Sequence, residues 1–289
     1  MNDFVIYTDS PCDISPATLA EWGVGFSSLS FRFDGEEQDY LDNDLTSAEF
    51  YAKMRAGGVA KTSALNAETF KEGFEPILKE GKDILYVGFS GGLSATYHAG
   101  CRAAAELSEE YPERRIVTVD SLSGSAGEGL LVYLAVEEKK KGATLDEVAE
   151  MVRTLAPKVH HRVTVEDLVY LKRGGRISPA LAFLGNALGL KPMILVNGEG
   201  KLENYAKLRG RKKAIASLVE DYGKMAADPE NGVVFITHAD CEEDAKAFAD
   251  ALHAAHGVTV TMIENVGTVI GSHTGPGTLV LCFVGKENK

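Results

Sequence analysis

Two α/β domains in tandem are the architecture this sequence predicts: a first domain on a mostly parallel sheet with flanking helices, and a second on a mixed sheet. Three observations lead there. In the first half, short apolar runs alternate with helix-like segments, the pattern of right-handed βαβ crossovers. Pro157 follows the last of those helices, and few helices continue into a proline. Beyond it the texture changes to closer-spaced strands, with a tight turn at Asn197-Gly198-Glu199-Gly200. The division is therefore set at residues 1–157 and 158–289.

Taken in order, Phe4 to Tyr7 reads as a buried strand ending in Thr8-Asp9-Ser10. Ser15 caps a short helix with Pro16 at its first position. Val24 to Phe33 alternates loosely as a second strand. Thr46-Ser47-Ala48-Glu49 is a capping box opening a helix towards Arg55, which Gly57-Gly58 ends. Asp83 to Phe89 is the clearest buried strand. A loop and a helix from about Ser94 to Ser108 follow, then a strand at 115–119. Two helices follow, from about Gly124 to Lys141 and from Thr144 to Leu155. In the second half, strands are expected at 163–165 and 193–196, with 201–206 as hairpin partner of the latter. Further strands fall at 233–237, 258–263 and 278–284, and helices at about 211–227 and 244–255.

With 289 residues and 45% hydrophobic content, the chain can bury a sizeable core. It has no apolar run long enough for a membrane span. The start, Met1-Asn2-Asp3-Phe4, lacks the basic and apolar regions of a secretory signal. A cytoplasmic location is expected. The net charge of −12 argues against nucleic acid and against anionic membrane surfaces. Cys12, Cys101, Cys241 and Cys282 form no C-x-x-C pair and have no histidine at zinc-ligand spacing, so small core residues is their reading.

Three small, hydroxyl- or glycine-rich segments stand out: Lys61-Thr62-Ser63, Ser90 to Tyr97, and Gly271 to Gly277. In the second, Gly91 and Gly92 let backbone amides approach a ligand. The helix that follows offers free N–H groups, and Ser94 adds a hydroxyl, which together suit a carboxylate or phosphate. The alternative is that Ser94 only caps its helix. Thr62 and Ser63 offer two more hydroxyls, or simply start a helix at Asn66-Ala67-Glu68. His273, in a glycine- and proline-rich setting, is a ligand group or a packing residue. Asp9, Ser10 and Asp13 read as helix-capping and hydrogen-bonding groups rather than a metal site. Asp120 and Ser121 border the same crevice. His160-His161 reads as structural. The basic runs 171–178 and 207–213, around Arg173 and Arg211, are either solvated surface or docking sites.

These pieces, in this order, resemble the DegV family of fatty-acid-binding proteins. The similarity runs along the whole chain: Tyr7-Thr8-Asp9-Ser10, Thr62-Ser63, Phe89 to Tyr97, Val119-Asp120-Ser121, Leu171 to Ile177, Arg209 to Ala214, and Ser272 to Gly277. The resemblance implies a two-domain DegV-like fold with a C16–C18 fatty acid between the domains. It implies that Thr62, Ser94 and His273 surround the carboxylate, with backbone donors from Gly91 or Gly92. It also implies a separate kinase as partner, which phosphorylates the bound acid, with Arg209 as the surface arginine of that transfer. No metal, cofactor or catalytic residue of the chain's own is expected. Ala64-Leu65-Asn66, Ala95 and His98 depart from the family pattern.

Physics supports such a ligand. A polar clamp with an apolar tunnel beyond it suits a fatty acid, and burying about sixteen carbons contributes on the order of 10 kcal/mol. The carboxylate cannot be buried unpaired. Thr62, Ser94 and His273 would pair it, with a protonated His273 as one option. Leu181 to Leu184 and Leu188 to Leu190 are expected to line the tunnel. Two rivals differ in class. One is a hydrolase of fatty acyl esters using Ser94, His273 and Asp9 or Asp120, although the chain has no G-x-S-x-G elbow. The other is a nucleotide or phosphosugar enzyme, for which the glycine-rich phosphate loops are missing.

Overall fold

The computed structural model describes residues 3–177 and 189–289. The proposed tunnel segment Leu181 to Leu184, and Leu188, lie outside the described residues.

The first sheet is parallel throughout, in the order β2 (Gly25–Ser27), β1 (Phe4–Asp9), β6 (Asp83–Gly88) and β7 (Ile116–Asp120). Every residue of β6 is buried, as a strand covered on both faces requires. Flanking helices include α3 (Ala67–Lys79), α4 (Thr96–Glu110), α5 (Ala126–Lys140) and α6 (Leu145–Leu155). The second sheet is mixed, in the order β10 (Leu202–Arg209), β9 (Leu190–Val196), β8 (Val159–Thr164), β13 (Leu279–Val284), β11 (Val234–His238) and β12 (Met262–Asn265). Only its β11–β12 pair is parallel. The helix at 211–225 and the helix at 242–256 pack on it. Helix α5 touches strands of both sheets and is buried along most of its length, so it is the shared wall between the two halves.

Three elements differ from the sequence reading. The apolar run 24–33 is two strands in two sheets. Ser27 pairs with Asp9, but the Leu29 N–H is donated to Ser10 Oγ at 3.0 Å, which turns the chain away. The rest, β3 (Ser30–Phe33), joins β4 (Tyr40–Leu41) and β5 (Ala60–Ser63) in a small antiparallel sheet. The strand expected at 258–263 lies at 262–265, because Val258 and Val260 pack into the core as the chain leaves the helix cap at Gly257 (φ 77°). The expected loop 271–277 begins as a helix, Thr268–Thr274. Its cap comes from far along the chain. Asp13 Oδ1 accepts the Gly267 N–H at 3.0 Å, and Asp42 Oδ1 accepts from Thr268 Oγ1 at 2.7 Å and from the Val269 N–H at 3.2 Å.

Among the described residues, no helix is long and apolar enough to cross a membrane, and no cluster of His, Cys, Asp and Glu could hold a metal ion. All four cysteines are free.

Candidate functional site

A cavity opens between the two sheets. Leu29, Phe89 and Leu93 line it from the first half, and Val163, Ile194 and Val280 from the second. It holds about 860 Å³ of atom-free space, its mouth included. It is a slot with largely aliphatic walls, shaped for something thin and apolar.

Its polar groups are Thr62, Ser94, Arg176 and His273, with Ser125, His161 and Thr274 also in the wall. Thr62, Arg176 and His273 also border the neighbouring outer groove, together with Lys61, Arg173 and Tyr170. They therefore stand where the slot meets the surface. Thr62 comes from β5 and His273 from the last turn of the 268–274 helix. Their side chains meet at 2.8 Å, Thr62 Oγ1 to His273 Nε2. His273 Nδ1 is buried without a partner. A Cβ on Gly174 would lie 2.0 Å from that nitrogen, so only glycine at 174 admits the imidazole.

Burial, with the Arg176 charge second, pushes the His273 pKa down to about 4. The ring is neutral at pH 7, so a protonated His273 is not the resting state. The positive charge at this end is Arg176. Its Nε donates to Leu93 O at 3.2 Å and its Nη1 to Gly174 O at 2.5 Å, which ties the loop before α4 to the turn after α7 (Val169–Arg173). Burial lowers the pKa of this guanidinium, the mark of a cation stripped of part of its water.

The remaining expected residues are placed as follows. Ser94 lines the slot, and its Oγ is 2.9 Å from Thr96 Oγ1 and accepts the Thr96 N–H at 3.2 Å. Helix α4 starts at Thr96, with Ala95 as its cap, so Ser94 precedes the cap. The Gly91 N–H is donated to Asp120 Oδ2 at 3.1 Å, and the Gly92 N–H to Ser90 Oγ at 3.1 Å. Both amides are thus engaged. Ser63 is exposed, because strand alternation turns it away from the face that Thr62 presents. Arg209 is exposed at the end of β10. Arg211 pairs with Asp244 at 2.8 Å and is structural. Asp9, the last residue of β1, is fully buried and accepts from Tyr86 OH at 2.7 Å and from the Phe89 N–H at 3.1 Å. The sequence reading left Arg176 undecided within its basic run and called His161 structural. The signal for Arg176 was the pair Gly174-Gly175 beside it, which folds the arginine back towards the slot.

Two α/β halves thus close on a largely apolar slot with a polar, cation-bearing mouth. The chain belongs to the DegV family, described as uncharacterised proteins, whose family model matches residues 3–286. A DegV domain-containing protein of Clostridium perfringens is 41% identical over 290 residues, covering 100% of both chains. A DegV family protein from Thermus thermophilus, described for its fatty-acid binding, superposes with a TM-score of 0.88 at 30% identity, covering 99% of this chain and 100% of that one. A stearic-acid-binding protein from Eubacterium ventriosum superposes with a TM-score of 0.88 at 25% identity, covering 98% of each chain.

Proposed function

We propose that this protein binds one long-chain fatty acid, of C16–C18 length, in the slot between its halves, with the carboxylate at Thr62, Ser94 and His273. The carrying observation is the 2.8 Å Thr62–His273 contact at the mouth of a largely apolar slot. With the proton on Nε2, the neutral His273 donates to Thr62 Oγ1. That leaves the Thr62 hydrogen free to point at a carboxylate oxygen. Ser94 offers a second hydroxyl, and Arg176 supplies the charge complement that a neutral imidazole lacks. The fatty-acid binding of the Thermus thermophilus protein and the stearic acid of the Eubacterium ventriosum protein support the same ligand class. Gly91, Gly92 and Ser63 take second place, since their donors are engaged or turned outward.

The protein acts as a carrier. It presents the carboxylate to a separate kinase that forms the acyl phosphate, and Arg209 serves that encounter from the surface. Its exposure at the end of β10 supports the role. The division between halves falls at 157/158, supported by the turn Ala156–Lys158, which carries the chain from α6 into β8. A cytoplasmic location is supported by four free thiols. Ester hydrolysis draws no support from the arrangement: Ser94 is paired with Thr96, and His273 with Thr62.

The test is extraction of lipid from the purified protein and its identification by mass spectrometry. A stoichiometric C16–C18 fatty acid is expected. Recovery of a nucleotide or phosphosugar and no lipid would overturn the reading.

A further inference from the structure

The 268–274 helix carries His273 on its last turn, yet little in its own sequence holds it in place. Thr268-Val269-Ile270-Gly271-Ser272-His273-Thr274 is rich in β-branched residues, has a glycine at its centre and holds no strong helix former. Its two turns fall far short of the roughly 12–15 residues at which a helix begins to stand alone. Where it lies is therefore decided by what it is docked to.

By sequence it belongs to the second half, but it is docked to the first. At its start, Asp13 Oδ1 accepts the Gly267 N–H, and Asp42 Oδ1 accepts from Thr268 Oγ1 and from the Val269 N–H. In its middle, Gly271 lies against Tyr51, where an added Cβ would come within 2.4 Å of the hydroxyl. That hydroxyl donates to Val266 O at 2.7 Å, just before the helix. At its end, His273 meets Thr62. Both carboxylates are built into the first half, at 6% and 4% exposure. The Asp42 N–H is donated to Leu29 O at 2.8 Å, and its carbonyl accepts from Ser28 Oγ at 3.2 Å. Asp13 Oδ2 accepts from Ser125 Oγ, at the start of α5. His273 is five residues beyond Thr268, roughly 7.5 Å along the axis. So short a lever passes a shift at the cap on to the imidazole.

We propose that Asp13 and Asp42 are positioning residues of the carboxylate clamp: by capping the 268–274 helix from the opposite half, they hold His273 where it meets Thr62 and the acid. This rests on the fatty-acid reading of the slot. Neither residue lines the slot. What they supply is placement, which matters to a ligand with a carboxylate for the clamp to hold and little to an apolar tail.

The test uses the delipidated full chain and displacement of a fluorescent fatty acid by stearic acid and by 1-octadecanol, which has the same tail and no carboxylate. Wild type should favour the acid. Asp42→Ala should weaken acid binding roughly ten-fold, the worth of one buried hydrogen bond, and by no more than His273→Ala does. Its affinity for the alcohol should stay within roughly two-fold of wild type. Asp42→Asn, which keeps an acceptor oxygen for Thr268 and Val269, should recover most of the loss. In the His273→Ala background, Asp42→Ala should cost the acid less than roughly two-fold. Gly267→Ala disturbs the cap without removing a carboxylate: its φ of −63° suits alanine, but the Cβ would lie 2.7 Å from Asp13 Oδ1 and 3.2 Å from Asp42 Oδ1. It too should lower the acid-to-alcohol ratio. An equal loss for acid and alcohol in Asp42→Ala overturns the inference, and so does an undiminished loss in the His273→Ala background. Should Asp42→Ala fail to fold, Gly267→Ala and Thr268→Val decide by the same ratio, and a wild-type ratio in both overturns the inference. A wild type that binds neither ligand, or both alike, overturns the fatty-acid reading itself.

Discussion

Replacing Gly174 by alanine perturbs the mouth of the slot through a residue that offers the ligand nothing. The new Cβ would lie 2.0 Å from His273 Nδ1 and 2.8 Å from its Cε1, where ordinary contact begins at 3.4 Å. Gly174 is itself anchored: its N–H is donated to Tyr170 O at 2.9 Å, and its carbonyl accepts from Arg176. The imidazole must therefore give way, by about 1.4 Å, the gap between those two distances. A displacement of that size ends the 2.8 Å contact with Thr62. Losing one buried hydrogen bond costs roughly 1–3 kcal/mol, which weakens fatty-acid binding roughly 5- to 150-fold. Displacement of a fluorescent fatty acid measures it, with the melting temperature as a folding control. The decisive comparison is a double-mutant cycle with His273→Ala. Because Gly174 acts through His273, Gly174→Ala should cost little once the imidazole is gone. Wild-type affinity in the single variant, or an equal loss in both backgrounds, would refute the mechanism.

Thr62→Ala and Ser94→Ala should each weaken binding by roughly 1–3 kcal/mol, while Ser63→Ala should leave it unchanged; titration of delipidated protein distinguishes the three. Arg209→Ala should retain bound lipid but lose acyl-phosphate formation when kinase and ATP are supplied; loss of lipid instead would move Arg209 into the slot. The buried carboxyls Asp9 and Glu128 should contribute a stability that falls as pH rises from about 4 through about 7. Burial raises the pKa of Asp9 to about 7 and that of Glu128 well above its usual value, with the charge of Asp9 adding to the shift of Glu128. Their contribution is therefore complete below the unfolded values near 4 and is lost as pH rises through the folded ones. The buried histidines, their pKa lowered in the fold, oppose that fall while their unfolded counterparts titrate near 6.5. The effect is therefore read as the difference between wild type and a carboxyl variant, in which the histidine contribution cancels. Glu128→Gln, which fixes the protonated form beside Thr8, should flatten the decline in melting temperature; an unchanged slope would show that Glu128 is ionised in the fold.

What could be read in the sequence follows the range of the forces involved. Strands β1 and β6 announce themselves because burial on both faces demands unbroken apolar runs. Thr46-Ser47-Ala48-Glu49 announces α2 (Ser47–Arg55) because both partners of a capping box lie within one turn, and both hydrogen bonds of the box are present. The 268–274 helix could not be read that way. Its capping carboxylates are Asp13 and Asp42, more than 220 residues away. Asp13 had looked like a cap, and it is one, for a helix in the other half. The break inside 24–33 depends likewise on Ser10, a partner outside the window. In the slot, the hydroxyls and His273 stood out by their setting, but Arg176 and His161 did not. An arginine in a basic run and a histidine beside another histidine carry no local sign of facing a cavity. The sign lay in Gly174 and Gly127, where a side chain would meet the rings of His273 and His161, and these positions become informative only once the distances are known.

That arrangement bears on why the site should hold an acid rather than transform one. A hydrolytic serine needs a base within hydrogen-bonding reach and an acid behind that base to fix and charge it. Here the His273 Nδ1, where such an acid would sit, faces Gly174 and has no partner. Arg176 opposes the imidazolium that catalysis would have to form, and burial opposes it further, so the ring stays neutral down to about pH 4. The same features favour a carboxylate. A neutral histidine relays its hydrogen through Thr62, and a partly desolvated arginine is left to balance the charge. Any chemistry on the bound acid then has to come from outside the slot, through the mouth where Lys61, Arg173 and Arg176 line the outer groove. The proposed carrier, served by a separate enzyme, asks of those groups only that they attract and hold the acid.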